Sequence, residues 1–328
     1  MDFGVSISWR GTTIESTRAV CLEADRLGFD YLWITEAWGL EALATAGYLL
    51  GLSNHIKIGA GVLNVYSRSA ALIGMACATL EQLAPGRFLL GVGTSGRKLV
   101  ERWHGVRFDR PIERMREYVE VIKKVVQGET VEFSGESLNL SGFKLYTQPR
   151  KTPQEIFVGA MGERSLRLSG AISDGALVTM YPIFKLADAL KLVNHGDPSG
   201  NPKKLFAYLQ LRIAEGDEEL EKAKREVARN IAFYITSMGE YYARNMIRFG
   251  FGRDVKRIID AHSSGGSKQA TEAVEDHLID ELSLVGTAEE IREKILRIPK
   301  DVTPVFVLDA PPELKVSDLK LDQLKPLL

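Results

Sequence analysis

Short apolar runs of strand character alternate with longer runs of helical spacing along almost the whole chain, and this alternation restricts the fold more than any other property. Phe3–Ser8 reads as a strand. Thr12–Gly28 follows with apolar residues at helical intervals (Ile14, Ala19, Cys21, Leu22, Ala24, Leu27) and a glycine stop. Tyr31–Thr35 is a second strand and Leu40–Leu52 a second helix. Ile56–Val65, Ala70–Ala84 and Arg87–Val92 form a strand–helix–strand unit. Pro111 then opens a helix over Ile112–Gln127 that Gly128 closes. Strands over Glu155–Gly159, Asp174–Met180, Leu205–Ile213 and Thr303–Leu308 are interleaved with helices over Glu163–Ile172, Phe184–Val193, Asp217–Ile235 and Thr287–Leu296. The last of these helices is capped by Thr287, with Glu290 three residues on.

Counting one element beside the glycine-rich stretch near residue 265, there are eight strand–helix units. A repeating βα pattern requires a parallel sheet with right-handed crossovers, and eight such units close on themselves. The expected fold class is therefore α/β, a (β/α)8 TIM barrel forming a single domain over residues 1–328; an open, doubly wound sheet is the alternative. Two insertions interrupt the rhythm. Thr130–Leu145 alternates about Ser134–Gly135 and reads as a β-hairpin within residues 129–146. Phe251–Asp276, within residues 250–280, is rich in glycine and charge and reads as a mobile excursion.

A net charge of −1 gives no reason to expect nucleic acid or an anionic membrane surface as a partner. With 45% hydrophobic and 26% charged residues the composition is that of a globular chain. MDFGVSISW lacks a basic start and a continuous apolar core, and no stretch reaches membrane-spanning length, so a cytoplasmic location is expected. Cys21 and Cys77 lie in apolar helical patterns and read as buried free thiols. No zinc-type Cys/His spacing, Walker loop or strand–GxGxxG–helix unit is present, and no metal is expected.

In a barrel of this kind chemistry gathers at the carboxyl ends of the strands. Those positions are Ser6–Trp9, Glu36–Trp38, Gly61–Tyr66, Gly93–Gly96, Gly159–Ser165 and Met180–Tyr181. Gly59 and Gly61, two apart in one strand, mark either a bend needed for closure or a close backbone approach to a ligand. Gly93, Thr94 and Ser95 offer donors with little bulk. Gly159–Ser165 (GAMGERS) runs straight into a helix, whose free N–H groups and positive end suit an anion. Arg164 and Ser165 add a charge and a hydroxyl; Glu163 opposes, since a carboxylate also satisfies a helix start. Of the five histidines, only His104 is placed to line the mouth.

The segments G-x-G-V-x-N-x-Y-S-R (Gly59–Arg68) and L-x-P-G-R-F-x-L-G-V-G-x-S-G (Leu83–Gly96), with IFVGAMGERSLRLSGAISDGALV, resemble the bacterial luciferase-like flavin and deazaflavin oxidoreductases. The resemblance implies a non-prolyl cis peptide at Gly61–Val62 that supports the back of the cofactor ring, with Asn64 contacting that ring. It implies that Gly93, Thr94 and Ser95 meet the cofactor chain, and that Gly159, Ala160, Met161, Gly162, Glu163, Arg164 and Ser165 hold its phosphate. The N-V-Y-S-R loop, the W-I-T-E-A-W-G turn and the absence of histidine after the second strand bring the chain closest to proteins like the coenzyme F420-dependent methylenetetrahydromethanopterin reductases. Those carry a glutamate where Ser6 stands here, so Glu36 is the carboxylate left to act as proton donor, or else an ion-pair partner of Arg68.

The expected reaction is hydride transfer between deazaflavin C5 and a small organic substrate walled by Trp9, Trp38 and Tyr181. The alternatives are an FMN-dependent monooxygenase and a non-catalytic flavin-binding protein, the last favoured if Glu36 is held in an ion pair. Helices Leu40–Leu52 and Ala70–Ala84 are apolar on nearly every side, which implies a homodimer packed through them.

Overall fold

The computed structural model describes residues 1–147 and 152–327. The strands are β1 (Gly4–Ile7), β2 (Tyr31–Ile34), β3 (Lys57–Asn64), β4 (Phe88–Gly93), β5 (Val131–Ser134), β6 (Asn139–Phe143), β7 (Ile156–Gly159), β8 (Gly175–Thr179), β9 (Lys204–Ile213), β10 (Ser283–Gly286) and β11 (Val302–Leu308). The α-helices are α1 (Ile14–Leu27), α2 (Ala42–Leu50), α3 (Ala70–Leu83), α4 (Arg97–Arg102), α5 (Pro111–Val126), α6 (Glu163–Ile172), α7 (Leu186–Asn194), α8 (Asp217–Ser237), α9 (Glu240–Arg248), α10 (Gly252–Glu272), α11 (Asp276–Leu282) and α12 (Ala288–Leu296).

Eight parallel strands close into a barrel in the order β1-β2-β3-β4-β7-β8-β9-β11, with β11 returning to β1. Because both faces of such a sheet are covered, its strands read as continuous apolar runs. Outward residues such as Val5, Leu32, Ile58 and Leu90 pack under the helices. Inward residues Tyr31, Trp33, Leu89, Phe157, Leu177, Phe206 and Val305 fill the interior. The rings of Trp33, Phe157 and Phe206 meet edge-on with centroids 5.0–5.8 Å apart. The barrel is thus solid below its carboxyl mouth.

The local signals that predicted the helices operate as expected. Gly28 ends α1 in the left-handed conformation at φ 92°. Pro111 is the first residue of α5. Thr287 and Glu290 form a reciprocal capping box on α12. Strands β5 and β6 pair antiparallel as the expected hairpin. Glu117 on α5 anchors its turn by accepting from the backbone N–H groups of Glu136, Ser137 and Leu138 at 2.7, 2.8 and 3.0 Å.

The stretch Phe251–Asp276, expected to be a mobile excursion, is mostly the helix α10. Its residues Gly265 and Gly266 have non-helical dihedrals and mark a kink. Val255, Ile258 and Ala270 of α10 join Val227 and Ile231 of α8, Met246 of α9 and Leu278 of α11 in a second apolar cluster. Arg257 pairs with Asp254 on its own helix (2.5 Å) and reaches Glu275, just before α11, at 2.7 Å, while His277 of α11 lies 3.3 Å from Asp254 of α10. After this helical insertion β10 adds a ninth parallel strand. Gln210 of β9 pairs with Val307 of β11 and with Ser283 of β10, so β10 occupies the edge of β9 beyond the end of β8.

Cys21 and Cys77 are buried free thiols. Burial, aided by the charge of Asp25, pushes the Cys21 thiol up to about 12. Among the described residues no helix is long and apolar enough to cross a membrane.

Candidate active site at the carboxyl mouth

The floor of the mouth is built by a bulge. Ala60 pairs with Leu90 and Leu63 with Val92, so three steps along β3 face two along β4. The extra residue lies in the Gly61–Val62 step, which is a cis peptide. Ala60 and Leu63 pack outward, whereas Val62 packs with the interior cluster. A Cβ added to Gly91 or Gly93 would lie 3.2 or 2.5 Å from a Val62 methyl, and one on Gly159 3.4 Å away. Val62 therefore lies across the bare backbones of β4 and β7 as a shelf. The glycines of β3 serve the barrel itself. A Cβ on Gly59 would lie 2.4 Å from the Trp33 ring, and one on Gly61 2.2 Å from the Tyr208 hydroxyl.

The loop after β3 is held at every residue. Asn64 Oδ1 accepts from the Tyr66 N–H at 2.8 Å, and its backbone carbonyl accepts from the Ser67 hydroxyl at 2.9 Å. The Tyr66 hydroxyl donates to the Asp109 carbonyl at 2.6 Å. With its oxygen so fixed, the Asn64 amide leaves Nδ2 buried and without a partner among the described residues. An orphaned buried donor is uncommon and marks a place where a ligand acceptor fits.

Glu36 is not the free acid that hydride chemistry was expected to use. Its two oxygens each accept from an Arg68 guanidinium nitrogen at 2.7 Å, and Oε2 also accepts from the Ala42 N–H at 3.0 Å, the start of α2. Arg68 pairs with Glu41 as well. Burial pulls the Arg68 pKa down, but the hydrogen bonds and charges of Glu36 and Glu41 outweigh it and leave it raised. The carboxylate is consumed by the ion pair and the helix cap together. Ser6 is fully buried, with its hydroxyl 3.1 Å from that of Thr35. The ring of His104 makes no hydrogen bond among the described residues.

Beyond Gly93, Thr94 is half-buried and Ser95 exposed, with Ser95 at φ 56°. Across β7, the start of α6 is more specialised than its sequence suggested. Ala160 and Met161 bury their side chains, in the main and second apolar clusters respectively. Glu163 turns along the helix to Arg167 at 3.2 Å. The Ser165 hydroxyl accepts from the Met161 and Gly162 N–H groups at 3.3 and 3.1 Å, so it caps the turn. The N–H groups of Glu163, Arg164 and Ser165 have no helical carbonyl within reach. Helix α9 contributes residues that sequence reasoning missed. The Tyr241 hydroxyl accepts from the Gly162 N–H at 3.2 Å, and Arg248 Nη1 lies 3.7 Å from where a Gly162 Cβ would be. Neither Arg164 nor Arg248 has an ion-pair partner among the described residues.

The three expected wall aromatics separate. Trp9 and Trp38 pack in tilted contact, 57° between their planes and 4.2 Å between centroids, and Phe233 of α8 lies 6.4 Å from Trp9. Tyr181 is buried against Phe249 at 4.6 Å, in the packing between barrel and helical insertion rather than on the wall. Burial raises its phenol to about 12. On β9, Tyr208 and Gln210 alternate with outward Leu209 and Leu211, so they face the mouth. The Tyr208 hydroxyl and Gln210 Oε1 are buried and unpartnered among the described residues.

Known proteins share this fold. The chain is 28% identical to the 5,10-methylenetetrahydromethanopterin reductase of Archaeoglobus fulgidus over 303 residues, 90% of each chain. The coenzyme F420-dependent tetrahydromethanopterin reductase of Methanopyrus kandleri has the same fold, with a TM-score of 0.81 at 22% identity over 98% of this chain and 96% of that one. An F420-dependent secondary alcohol dehydrogenase, solved with an F420–acetone adduct, gives 0.78 at 19% identity over 100% and 98%. Residues 1–301 match the family model of the luciferase-like monooxygenases, and the chain belongs to that family.

Proposed function

We propose that the protein is a coenzyme F420-dependent oxidoreductase acting on a small organic substrate. The observation that carries this reading is the shelf of Val62 over Gly91, Gly93 and Gly159, bordered by the unpaired Asn64 amide. A flat, apolar support beside one fixed donor fits a tricyclic ring with a polar edge. The similarity to the 5,10-methylenetetrahydromethanopterin reductase of Archaeoglobus fulgidus, together with the fold shared with the coenzyme F420-dependent reductase of Methanopyrus kandleri, supports the choice of deazaflavin. Val62 would back the ring, Asn64 would donate to it, Thr94 and Ser95 would meet the chain, and the start of α6 with Arg164 and Arg248 would hold the phosphate. When bound, the deazaflavin supplies a hydride from C5. The protein orients the ring and keeps water from it.

The Glu36–Arg68 pair bears on the substrate. A ketone would need a proton along with the hydride, whereas an iminium carbon needs none. The lack of a free carboxylate at Glu36 and Ser6 therefore favours a carbon that is already cationic, as in methylenetetrahydromethanopterin-like substrates. Catalysis on these terms does not require Glu36, so its ion pair does not argue for a purely binding role.

The same reading takes the chain as one domain, because α8 and α9 bring Phe233 and Tyr241 to the barrel loops. It takes the molecule as a homodimer joined through α2 and α3, where Tyr48, Leu72, Met75 and Leu83, and Leu52 just after α2, are exposed. Two free thiols suit a reducing, cytoplasmic setting.

Separate titrations with F420 and FMN, read by cofactor fluorescence, test the reading. The expected result is F420 binding at least tenfold tighter than FMN, with Asn64→Ala weakening F420 by about tenfold, one lost hydrogen bond. FMN binding without F420 binding would overturn it.

A further inference from the structure

We infer that Arg10 is a binding residue for an anionic group of the substrate, a carboxylate or a phosphate. Its guanidinium carbon lies 3.8 Å from the centroid of the Phe233 ring and 4.9 Å from that of Trp9. Among the described residues no carboxylate is in ion-pair reach of the guanidinium and no acceptor takes its side-chain N–H groups; only the backbone N–H is used, donating to the Ser8 hydroxyl at 3.4 Å. The other half-buried arginines each meet an acceptor or a carboxylate: Arg68 pairs with Glu36 and Glu41, Arg212 with Asp309 and Glu226 and Arg257 with Asp254, Arg114 lies 3.8 Å from Asp109, and Arg87 and Arg292 donate to the Leu50 and Gln323 carbonyls. Asp309 does act on Arg10 through its charge, but its carboxylate is bound to Arg212. Burial pulls the Arg10 pKa down, and the like charge of Arg229 adds to this. A desolvated cation is costly unless an anion meets it, and aromatic rings recover only a fraction of that cost. What remains free is the in-plane row of N–H donors, which matches two oxygens of one anion.

Position separates this site from the one at α6. In the eight-strand ring β1, whose following loop holds Arg10, lies four places from β7, which leads into α6. The two lie on opposite sides of the mouth, so one phosphate cannot serve both. Arg10 stands instead beside Trp9 and Trp38, where the mouth is walled by side chains. Assigning its ligand to the substrate rests on the function proposed above; the anion site itself does not.

The probes are benzoate and phenyl phosphate, with neutral benzamide as control, titrated against the intact chain by the fluorescence that Trp9 and Trp38 contribute. Wild type is expected to bind at least one anion tenfold or more tighter than benzamide, and the preferred anion names the class. Arg10→Gln should bring all three within twofold, and Arg10→Lys should keep an intermediate preference because an ammonium cannot bind two oxygens side by side. F420 affinity, measured separately, should stay within twofold in both variants. No preference in the wild type, or an undiminished one in a folded Arg10→Gln protein, would overturn the assignment. Should Arg10→Gln not fold, an Arg10→Lys protein with full wild-type preference would do the same. Anion preference that depends on Arg10 in a protein that ignores F420 would retain the site and discard the cofactor.

Discussion

Glu36 shows how one side chain can be chemically attractive and structurally occupied. It accepts from both Arg68 nitrogens and from the first N–H of α2, so three donors share two oxygens. Glu36→Gln should cost about 1–3 kcal/mol, the range for charge-assisted hydrogen bonds, and lower the thermal midpoint by a few degrees. The pH profile of turnover should keep its shape. Loss of an acidic limb would instead make Glu36 a proton donor. The sequence placed Glu36 and Arg68 at neighbouring strand ends and left pairing and proton donation open, because a strand end does not reveal where a carboxylate turns. Arg10 was further out of sight: its partner ring, Phe233, is more than two hundred positions away on an inserted helix.

At the scale of elements, the bulge in β3 and the glycines of β4 and β7 form one device. Gly93→Ala would push a methyl to within 2.5 Å of Val62 Cγ2. Overpacking of this kind costs about 1–3 kcal/mol. Because Val62 must move, F420 affinity is expected to fall at least tenfold in a fluorescence titration while the fold survives; unchanged affinity would show that Val62 does not support the ring. The barrel strands and long helices were readable because their apolar periods persist over enough residues. Helix α9, helix α11 and strand β10 were not: they span 9, 7 and 4 residues, too few for a period to stand out between charged neighbours. In α10 the Gly265–Gly266 pair looked like loop, yet it only bends a helix whose buried face continues on both sides.

For the whole molecule, closure at the amino end depends on Glu155. This carboxylate precedes β7 and reaches Lys57 of β3 at 3.0 Å and Lys204 of β9 at 2.9 Å. Burial alone would raise its pKa, but the hydrogen bonds from Lys204 and Lys57 prevail and lower it. A folded-state pKa below the unfolded one adds stability above the usual glutamate range, and that stability fades as pH falls through the folded value. Glu155→Gln should therefore melt below wild type at pH 7, and the gap should close as the pH is taken below about 4. The exposed apolar face of α2 and α3 makes a second whole-molecule prediction. Wild type should sediment as a dimer at micromolar concentration, and Leu72→Asp combined with Met75→Asp as a monomer. A monomeric wild type would remove the proposed interface.

The glycine-built floor also limits how this scaffold can be redirected. Along β4 and β7 the mouth presents backbone and one shared valine, so a library that varies Gly91, Gly93 or Gly159 should mostly collect proteins in which Val62 has been displaced and, on the function proposed above, cofactor affinity lost. Diversity is tolerable only on the opposite arc, at Trp9, Arg10, Trp38, Gln210 and Phe233, where side chains already differ in size and charge. New substrates, whether reached by natural drift or at the bench, should enter from that arc.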